Sequence, residues 1–579
     1  MSSTESPTAA DPIRMLESAF VERLPEFFTK RSGGVSCNDY EEALGQLEIL
    51  LAASPYLDRE PERFGLNSAS ARPWLQAHLR DGIKEFFRHL DANGLVAGWD
   101  IDGTQHSNSH YRAAPAICDA LRALDGNHLA ELRVEIDRQK SSSAHIFKLL
   151  KPYGTHERPG YRGLNLILSD IAGLYEAGVY FEKPEWIATA KLAMERAVAR
   201  QDPEGFFPDY RGDEDAGPSS AYMEFTLFTI APLLVAYPEE ALAERCVRGV
   251  DWMMKSFDLS GRAIDIFDER ERFKRSPGAG GVGWASPLFY FSPAGREWLR
   301  FHLEQSGKFE LWYSAIVLNF KRAMEKKNPA FLRTLERSKT WFTHLPRYAC
   351  EYKNRKSAVS VTQPWLIAGH GYLTGKLDPK SMWHRELQQH HSLHHKNAGI
   401  IFGGGNSLAQ PEFSTLRTGQ SYLCDRVRIE QCGEPQQTVL CENGSSHIAI
   451  HTSIVNANEA NVKCEVLEHA DKAFWQLTLG FFLTRKQLIY NDVVITDFLE
   501  KPVSGTFESG IAVTGTNGDK NFRVEIQFSA PCEYKWPLYP VNVREPGSKP
   551  MPLYTAVMPL KFALPEKGKC IEVSVRYSE

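Results

Sequence analysis

A chain of 579 residues exceeds the size at which one hydrophobic core stops growing, so two or three domains are expected. Sixty-seven basic residues against 72 acidic ones give a net charge of −5, and no Lys/Arg run or basic helix is present, so no nucleic-acid partner is expected. The apolar share of 42% and the charged share of 24% are those of a soluble globular protein. No uninterrupted apolar run reaches the roughly 20 residues of a membrane span, so no membrane partner is expected either.

The first residues, MSSTESPTAADPIRMLESAF, are polar and acidic and lack the charged and apolar regions of a secretory signal. A cytoplasmic location is therefore expected, or a secreted one if a signal has been removed. Helical periodicity then begins with IRMLESAFVERLPEFF from Ile13, YEEALGQLEILLAA from Tyr40 and WLQAHLRDGIKEFFRHL from Trp74. The next segment, residues 99–124, places Ser107, Asn108, Ser109 and His110 just ahead of Tyr111, Arg112 and a helix over 113–124. A histidine there can trade protons near neutral pH, or it can simply face solvent.

Residues 157–181, ERPGYRGLNLILSDIAGLYEAGVYF, open Gly-rich around Tyr161 and run into an apolar helix with Asn165 near its start. Asn165 is placed to polarise a carboxyl group, or to cap the helix. A helix follows over 184–199. The most informative stretch comes next: PDYRGDEDAGPSSAYMEFTLF, residues 208–228, is a carboxylate-rich loop that runs into an apolar helix. It carries Arg211 and Asp213 in the loop and leaves Tyr222 and Glu224 near the junction, with Ser219 or Ser220 as the cap. A solvated loop and a packing tyrosine are the plainer account of the same residues.

Further helices are expected over 241–257, 297–303, 311–324, 329–342 and 357–373, about a dozen in all, with no fixed-period repeat. The last contains His370 between two glycines, either an approachable ligand group or an ordinary helix end. The cluster WHRELQQHHSLHHKN, with histidines from His384 to His395, has i, i+4 pairs but no Glu as in HExxH, and is expected as a linker rather than a metal site. GGGNS at 403–407 is expected as a turn. Beyond it HIAIHTSIV, AFWQLTLGFFLTRKQLIYNDVVITDF, NFRVEIQF and CIEVSVRY alternate as strands, with NG, NGD and PG turns between them. Ten scattered cysteines without a CxxC pair are expected as reduced thiols.

Helices followed by strands imply a multidomain α-then-β chain. The expected fold is an N-terminal (α/α) toroid, incomplete or a six-hairpin barrel, over residues 1–378, a linker over 379–406, and an antiparallel β-sandwich over 407–579. A plain helical bundle with an unrelated β module is the rival.

DPEGFFPDYRG…GPSSAYMEF and GYRGLNLILSDIAGLYEAG resemble segments of the heparinase II/III-type and oligoalginate-type polysaccharide lyases, which pair a toroid with an antiparallel β domain. The resemblance implies a catalytic tyrosine at Tyr222 and a carboxyl-neutralising asparagine at Asn165. Leu166 follows where those enzymes often carry histidine, which leaves His110 or His370 as the histidine partner. It further implies β-elimination on an acidic oligosaccharide or polysaccharide, without a cofactor, with Asn108, Tyr111, Tyr161, Arg211, Asp213, Glu224 and Trp284 contacting substrate. A glycoside hydrolase using pairs among Asp102, Asp209, Asp213, Asp215 and Glu224 is the alternative. A glycan-binding protein that stacks sugars on Trp99, Trp284, Tyr290, Trp312 and Trp365 is a third class. The β module offers a surface for a homo-oligomer.

Overall fold

The computed structural model describes residues 11–31, 36–101, 104–107, 113–153, 164–211, 214–217, 220–237, 239–259, 264, 286–306, 310–337, 347–403, 410–419, 421–433, 435–470, 472–480, 486–490, 493–494, 502–517, 520–538 and 557–579. Two compact units emerge from it. One holds residues 1–216, 222–252 and 282–339, the other 217–221, 253–281 and 340–579.

The helical unit opens with α1 (Pro12–Arg31), α2 (Tyr40–Arg59) and α3 (Ser68–Arg88). Helix α2 begins where the Asp39 side chain accepts from the Glu42 amide at 2.8 Å, and α3 where Asn67 and Ser70 cap each other reciprocally. The hairpin β1 (Leu95–Ile101) and β2 (Thr104–Ser107) leads into α4 (Ala113–Ala123), followed by α5 (Gly126–Glu131), α6 (Arg133–Tyr153), α7 (Leu164–Tyr180) and α8 (Pro184–Ala199). A second hairpin, β3 (Asp209–Arg211) and β4 (Glu214–Gly217), leads into α9 (Ser220–Ala236) and α10 (Glu240–Lys255). The unit ends with α11 (Pro287–Phe291), α12 (Pro293–Ser306), α13 (Leu311–Lys327) and α14 (Pro329–Leu335).

These helices close on themselves. Helix α2 packs on α3, α4 and α13, and α4 packs on α7, which pairs with α8. Phe228 of α9 and Ile316 of α13 share an apolar cluster, and α13 packs back on α2, so late helices return to the first ones. The core-facing stripe of α2 (Leu44, Leu47, Leu50) is fully buried, and each such leucine contributes roughly 2 kcal/mol of transfer free energy. Gly82 of α3 permits the close approach, because a Cβ there would lie 2.8 Å from Leu47 Cδ2.

The second unit contains two antiparallel sheets. Their strands in chain order are β5 (Arg347–Tyr352), β6 (Arg355–Thr362), β7 (Trp365–Tyr372), β8 (His391–His395), β9 (Gly399–Phe402), β10 (Leu416–Thr418), β11 (Arg426–Gly433), β12 (Gln436–Asn443), β13 (Ser446–Asn456), β14 (Glu459–Glu468), β15 (Ala473–Gly480) and β16 (Lys486–Tyr490). They continue with β17 (Val493–Val494), β18 (Val503–Phe507), β19 (Gly510–Asn517), β20 (Lys520–Phe528), β21 (Cys532–Trp536), β22 (Val557–Ala563) and β23 (Cys570–Ser578). One sheet is ten-stranded, ordered β18-β21-β22-β15-β9-β8-β7-β6-β5 with β10 on β15. The other is nine-stranded, ordered β11-β12-β13-β14-β23-β20-β19-β16-β17. One core fills the space between them, with Trp365, Trp475 and Phe562 from the first sheet against Val439, Ile450, Val462 and Val573 from the second.

The alternating segments expected as strands form β13, β20 and β23, and the long second one holds β15, β16 and β17 in its described residues. The helix expected over 357–373 is instead β6 and β7. Both strands are buried on nearly every residue, so their run shows no alternation to distinguish it from a buried helix. His370 accordingly lies inside a strand, and its flanking glycines are not helix caps. A Cβ on Gly369 would lie 2.6 Å from Gln437 Oε1 and one on Gly371 3.1 Å from the Val427 carbonyl, so both glycines let the sheets approach. The stretch 379–406, expected as a linker, holds a short helix over Met382–Glu386 and then β8 and β9 in mid-sheet. At about 3.3 Å per residue, i, i+4 histidines on such a strand stand roughly 13 Å apart, too far to share a metal. Among the described residues no group of three or more His, Cys, Asp or Glu could hold one.

Within this unit Asp258 Oδ2 lies 3.1 Å from His394 Nδ1, and His394 Nε2 lies 3.0 Å from Ser392 Oγ. All three side chains are buried. The imidazole donates to the carboxylate and accepts from the hydroxyl, which satisfies its two nitrogens inside the sheet. Cys37, Cys118, Cys246, Cys424, Cys432, Cys441, Cys464, Cys532 and Cys570 are free thiols, and no helix among the described residues is long and apolar enough to cross a membrane.

Candidate active site

Five helices of the helical unit run in the same direction. Trp312 of α13 lies over Gly45 of α2, Asn319 donates to the Glu48 carbonyl and carboxylate at 3.1 and 2.6 Å, and Arg322 reaches the Leu51 and Ala52 carbonyls. Residue numbers rise together along the pair, so α13 and α2 are parallel. Arg122 near the end of α4 bonds Glu176 near the end of α7 at 3.0 Å, and Tyr175 meets Tyr237 just past α9 with ring centroids 4.6 Å apart. Phe228 pairs with Ile316, and the charge of Glu224 acts on Tyr313, which aligns α9 with α13. The N-termini of α2, α4, α7, α9 and α13 therefore open at one mouth of the ring.

Helix N-termini present unsatisfied amides and a partial positive charge, so a mouth built from them favours anions. Asn165 occupies the first turn of α7. It is buried, at 7% exposure, and its amide makes no hydrogen bond with another described residue. A buried amide left that way costs free energy unless a ligand or water meets it.

On α9 the first turn carries Tyr222, and Glu224 follows with 1% exposure. What holds this turn is the segment before it. Gly205 has φ +111°, and a Cβ there would lie 2.3 Å from the Arg248 carbonyl, so only glycine fits. Gln201 Nε2 donates to the Gly205 and Arg245 carbonyls, both at 2.7 Å, and the Phe207 amide approaches Met223 Sδ at 3.4 Å. Hairpin β3–β4, with Arg211 in its first strand, is thus tied to α9 and α10 at its base.

Opposite in sequence but at the same mouth stand Glu41 of α2, Glu310 at the cap of α13, and Tyr313. Burial, then the charges of Glu310, Glu41 and Glu224, push the Tyr313 phenol up to about 12. It stays protonated at neutral pH and can donate a hydrogen bond. Burial raises the Glu41 carboxyl as well, opposed by the Tyr40 hydroxyl that donates to it at 3.3 Å. Trp312 and Tyr313 stack at 5.5 Å, giving the mouth an aromatic wall.

No protein-family model and no curated protein sequence matches the chain. Among solved structures it is similar to the Streptomyces coelicolor A3 chondroitin AC lyase in complex with chondroitin sulphate, at 12% identity and TM-score 0.48, over 100% of this chain and 81% of that one. A heparinase III is similar at 9% identity and TM-score 0.41, over 98% and 90% of the two chains. A heparan sulfate lyase from Pedobacter heparinus is similar at 10% identity and TM-score 0.32, over 89% of each. These figures are too low to carry a reaction from those proteins to this chain.

Of the residues expected from sequence, the structure brings Asn165 and Glu224 to the shared mouth, together with the backbone of Tyr222. Arg211 is placed by its backbone in β3. Asn108, His110, Tyr111, Tyr161, Asp213 and Trp284 lie outside the described residues. His370 is not a mouth residue of this ring. It belongs to the other unit, fully buried in β7, with Nδ1 3.2 Å from the Lys356 carbonyl and its ring stacked on His390 at 5.3 Å. Glu41, Glu310 and Tyr313 were not legible as site residues, since only closure of the ring brings them near Glu224.

Proposed function

We propose that the helical unit is a polysaccharide or oligosaccharide lyase that cleaves a uronate-containing glycan by β-elimination. The observation that carries this is Asn165, a buried amide with no hydrogen-bond partner among the described residues, at a mouth lined by helix N-termini. A uronate C5 proton becomes acidic enough to remove only when the adjacent carboxylate is neutralised. In this reading Asn165, with His110 and Arg211, donates hydrogen bonds to that carboxylate and stabilises the enolate as charge develops. Tyr222, one inner helix away, removes the C5 proton and returns a proton to the departing glycosidic oxygen. Its phenol, with an ordinary pKa of about 10, needs cationic neighbours such as Arg211 to act as the base near neutral pH. The chemistry requires no metal or redox cofactor.

A second reading, glycoside hydrolysis, is favoured by one observation: Glu41, Glu224 and Glu310 gather around Tyr313 at the same mouth. Two carboxyl groups there would supply the acid and base. Incubation with a panel of uronate glycans separates the two. The lyase reading predicts growth of ultraviolet absorbance from a 4,5-unsaturated uronide, in step with new reducing ends. New reducing ends without that absorbance would replace it with the hydrolase reading.

A further inference from the structure

The nine-stranded sheet carries a cleft of about 550 Å³, within the range of small-ligand sites. Its lining is informative strand by strand. On β12, β13, β14 and β23, and at the end of β20, it takes three consecutive residues, centred on Gln437, Thr452, Val462, Val573 and Phe528. Each central residue is buried and turned toward the other sheet: Gln437 Nε2 donates to the Ala358 carbonyl, Thr452 Oγ1 lies 2.6 Å from His391 Nε2, and the rest join the shared core. Since successive side chains alternate, the cleft lies on the outer face, floored by backbone and walled by the residues on either side. Five strands at about 4.8 Å spacing make it roughly 20 Å wide.

The walls are polar in a particular way. Beyond this band the outer face carries charge pairs, Arg426 with Glu442, Arg428 with Glu430 and Arg523 with Glu525. Inside it the side chains are mainly amides and hydroxyls. The amides of Gln431, Gln436, Asn461 and Gln527 make no hydrogen bond with another described residue. Ser453 and Ser574 stand between them on paired strands, with Ser453 opposite Asn461, and Asn461 and Gln527 each opposite Ser574. The charges present are balanced, Lys463 facing Glu572 across the strands and His451 lying 3.4 Å from Glu465. Among the described lining residues no Phe, Tyr or Trp side chain points into the cleft, which leaves hydrogen bonding as its main means of recognition.

We propose that this trough of the β unit is a saccharide-binding site that recognises the hydroxyls and ring oxygens of a glycan chain. An amide offers donors and an acceptor together, and a row of them with hydroxyls matches a ligand that also alternates donors and acceptors. Charge balance across the trough makes hydroxyls rather than carboxylates the recognised groups. The site stands whichever reaction the helical unit performs.

The test is calorimetric titration of the full chain with cellohexaose, xylohexaose, chitohexaose and a chondroitin hexasaccharide. At least one is expected to bind with Kd below about 1 mM, and the affinity is expected to change less than about twofold between 0.05 and 0.5 M salt, since screening weakens charge contacts selectively. The triple variant Gln436→Ala, Asn461→Ala, Gln527→Ala removes only outward-facing side chains and is expected to weaken binding at least about tenfold. Ser574→Arg, which fills the trough, is expected to abolish binding, with the thermal midpoint of both variants unchanged. No binding by any of the four, equal binding by the folded triple variant, or binding lost in salt would each overturn the proposal.

Discussion

Asn165 gains its meaning from the turn it occupies. At the second position of α7 its amide stands among orphan backbone donors, so a carboxylate bound there meets several hydrogen-bond donors at once. Asn165→Ala should lower kcat on a cleaved uronate glycan by about 10²–10³, the usual loss for one enolate-stabilising donor, with little change in melting temperature. Steady-state kinetics beside a thermal melt checks it, and unchanged kcat would remove Asn165 from the mechanism. Gly205 makes the opposite kind of case. Gly205→Ala has no space and the wrong φ, so it should destabilise by roughly 1–3 kcal/mol or more and reduce activity by moving the segment that carries hairpin β3–β4; a chemical-denaturation curve equal to wild type would refute this. The sequence exposed Asn165 because a Gly-rich turn and an apolar helix bracket it. It did not expose Glu41 or Tyr313, because the charges of Glu41 and Glu224 act together on Tyr313 only once the ring has closed.

Between elements, the closing contact of the ring is polar as well as apolar. Glu48 of α2 is 3% exposed and takes a 2.6 Å bond from Asn319 of α13, while Arg322 holds two α2 carbonyls. Asn319→Leu leaves a buried carboxylate short of a donor and should cost about 2–4 kcal/mol, measurable as a fall in the urea midpoint. A cost under about 0.5 kcal/mol would mean the ring does not depend on that bond. In the β unit, Asp258→Ala strips the buried His394 of its acceptor and should cost a comparable amount by the same measurement. The elements differ in how plainly they were written. Helix α2 repeats apolar residues on one stripe, whereas α6, RVEIDRQKSSSAHIFKLLKPY, lies in a span from which no helix was expected, its pattern diluted by charges and three serines. Strands β6 to β9, buried on both faces, offered no alternation. Strand β13, with one wet face, alternates and was legible; β12 and β14 alternate in the same way but were not singled out.

On the scale of the whole molecule, the order of helices and then strands was readable because a period of 3.6 gives way to a period of 2 along the chain. The boundary was not, since the first strands of the β unit carry a helix-like run of apolar residues. The β unit should also lose stability in acid. In the β unit, burial and then the charge of His394 hold His391 down to about 3, and burial first of all holds His384 down to about 4. Folding favours the neutral form, while the unfolded chain takes up protons near pH 6.5. The stability this gives is complete above about pH 6.5 and is lost as pH falls toward 4 and 3, at up to about 1.4 kcal/mol per pH unit for His391. Urea titrations at pH 7 and pH 5 should show the drop, and His391→Gln should reduce it.

The central claim is that Asn165 and Tyr222 act as one unit on an acidic sugar at the mouth of the helical ring. Its most direct test is a double-mutant cycle on the rate of unsaturated-uronide formation, using Asn165→Ala, Tyr222→Phe and the pair. The account predicts that each single variant loses about 10² or more and that the double variant is scarcely worse than the poorer single one. Multiplying losses in the double variant, or a Tyr222→Phe protein that still forms the unsaturated product at the wild-type rate, would contradict it.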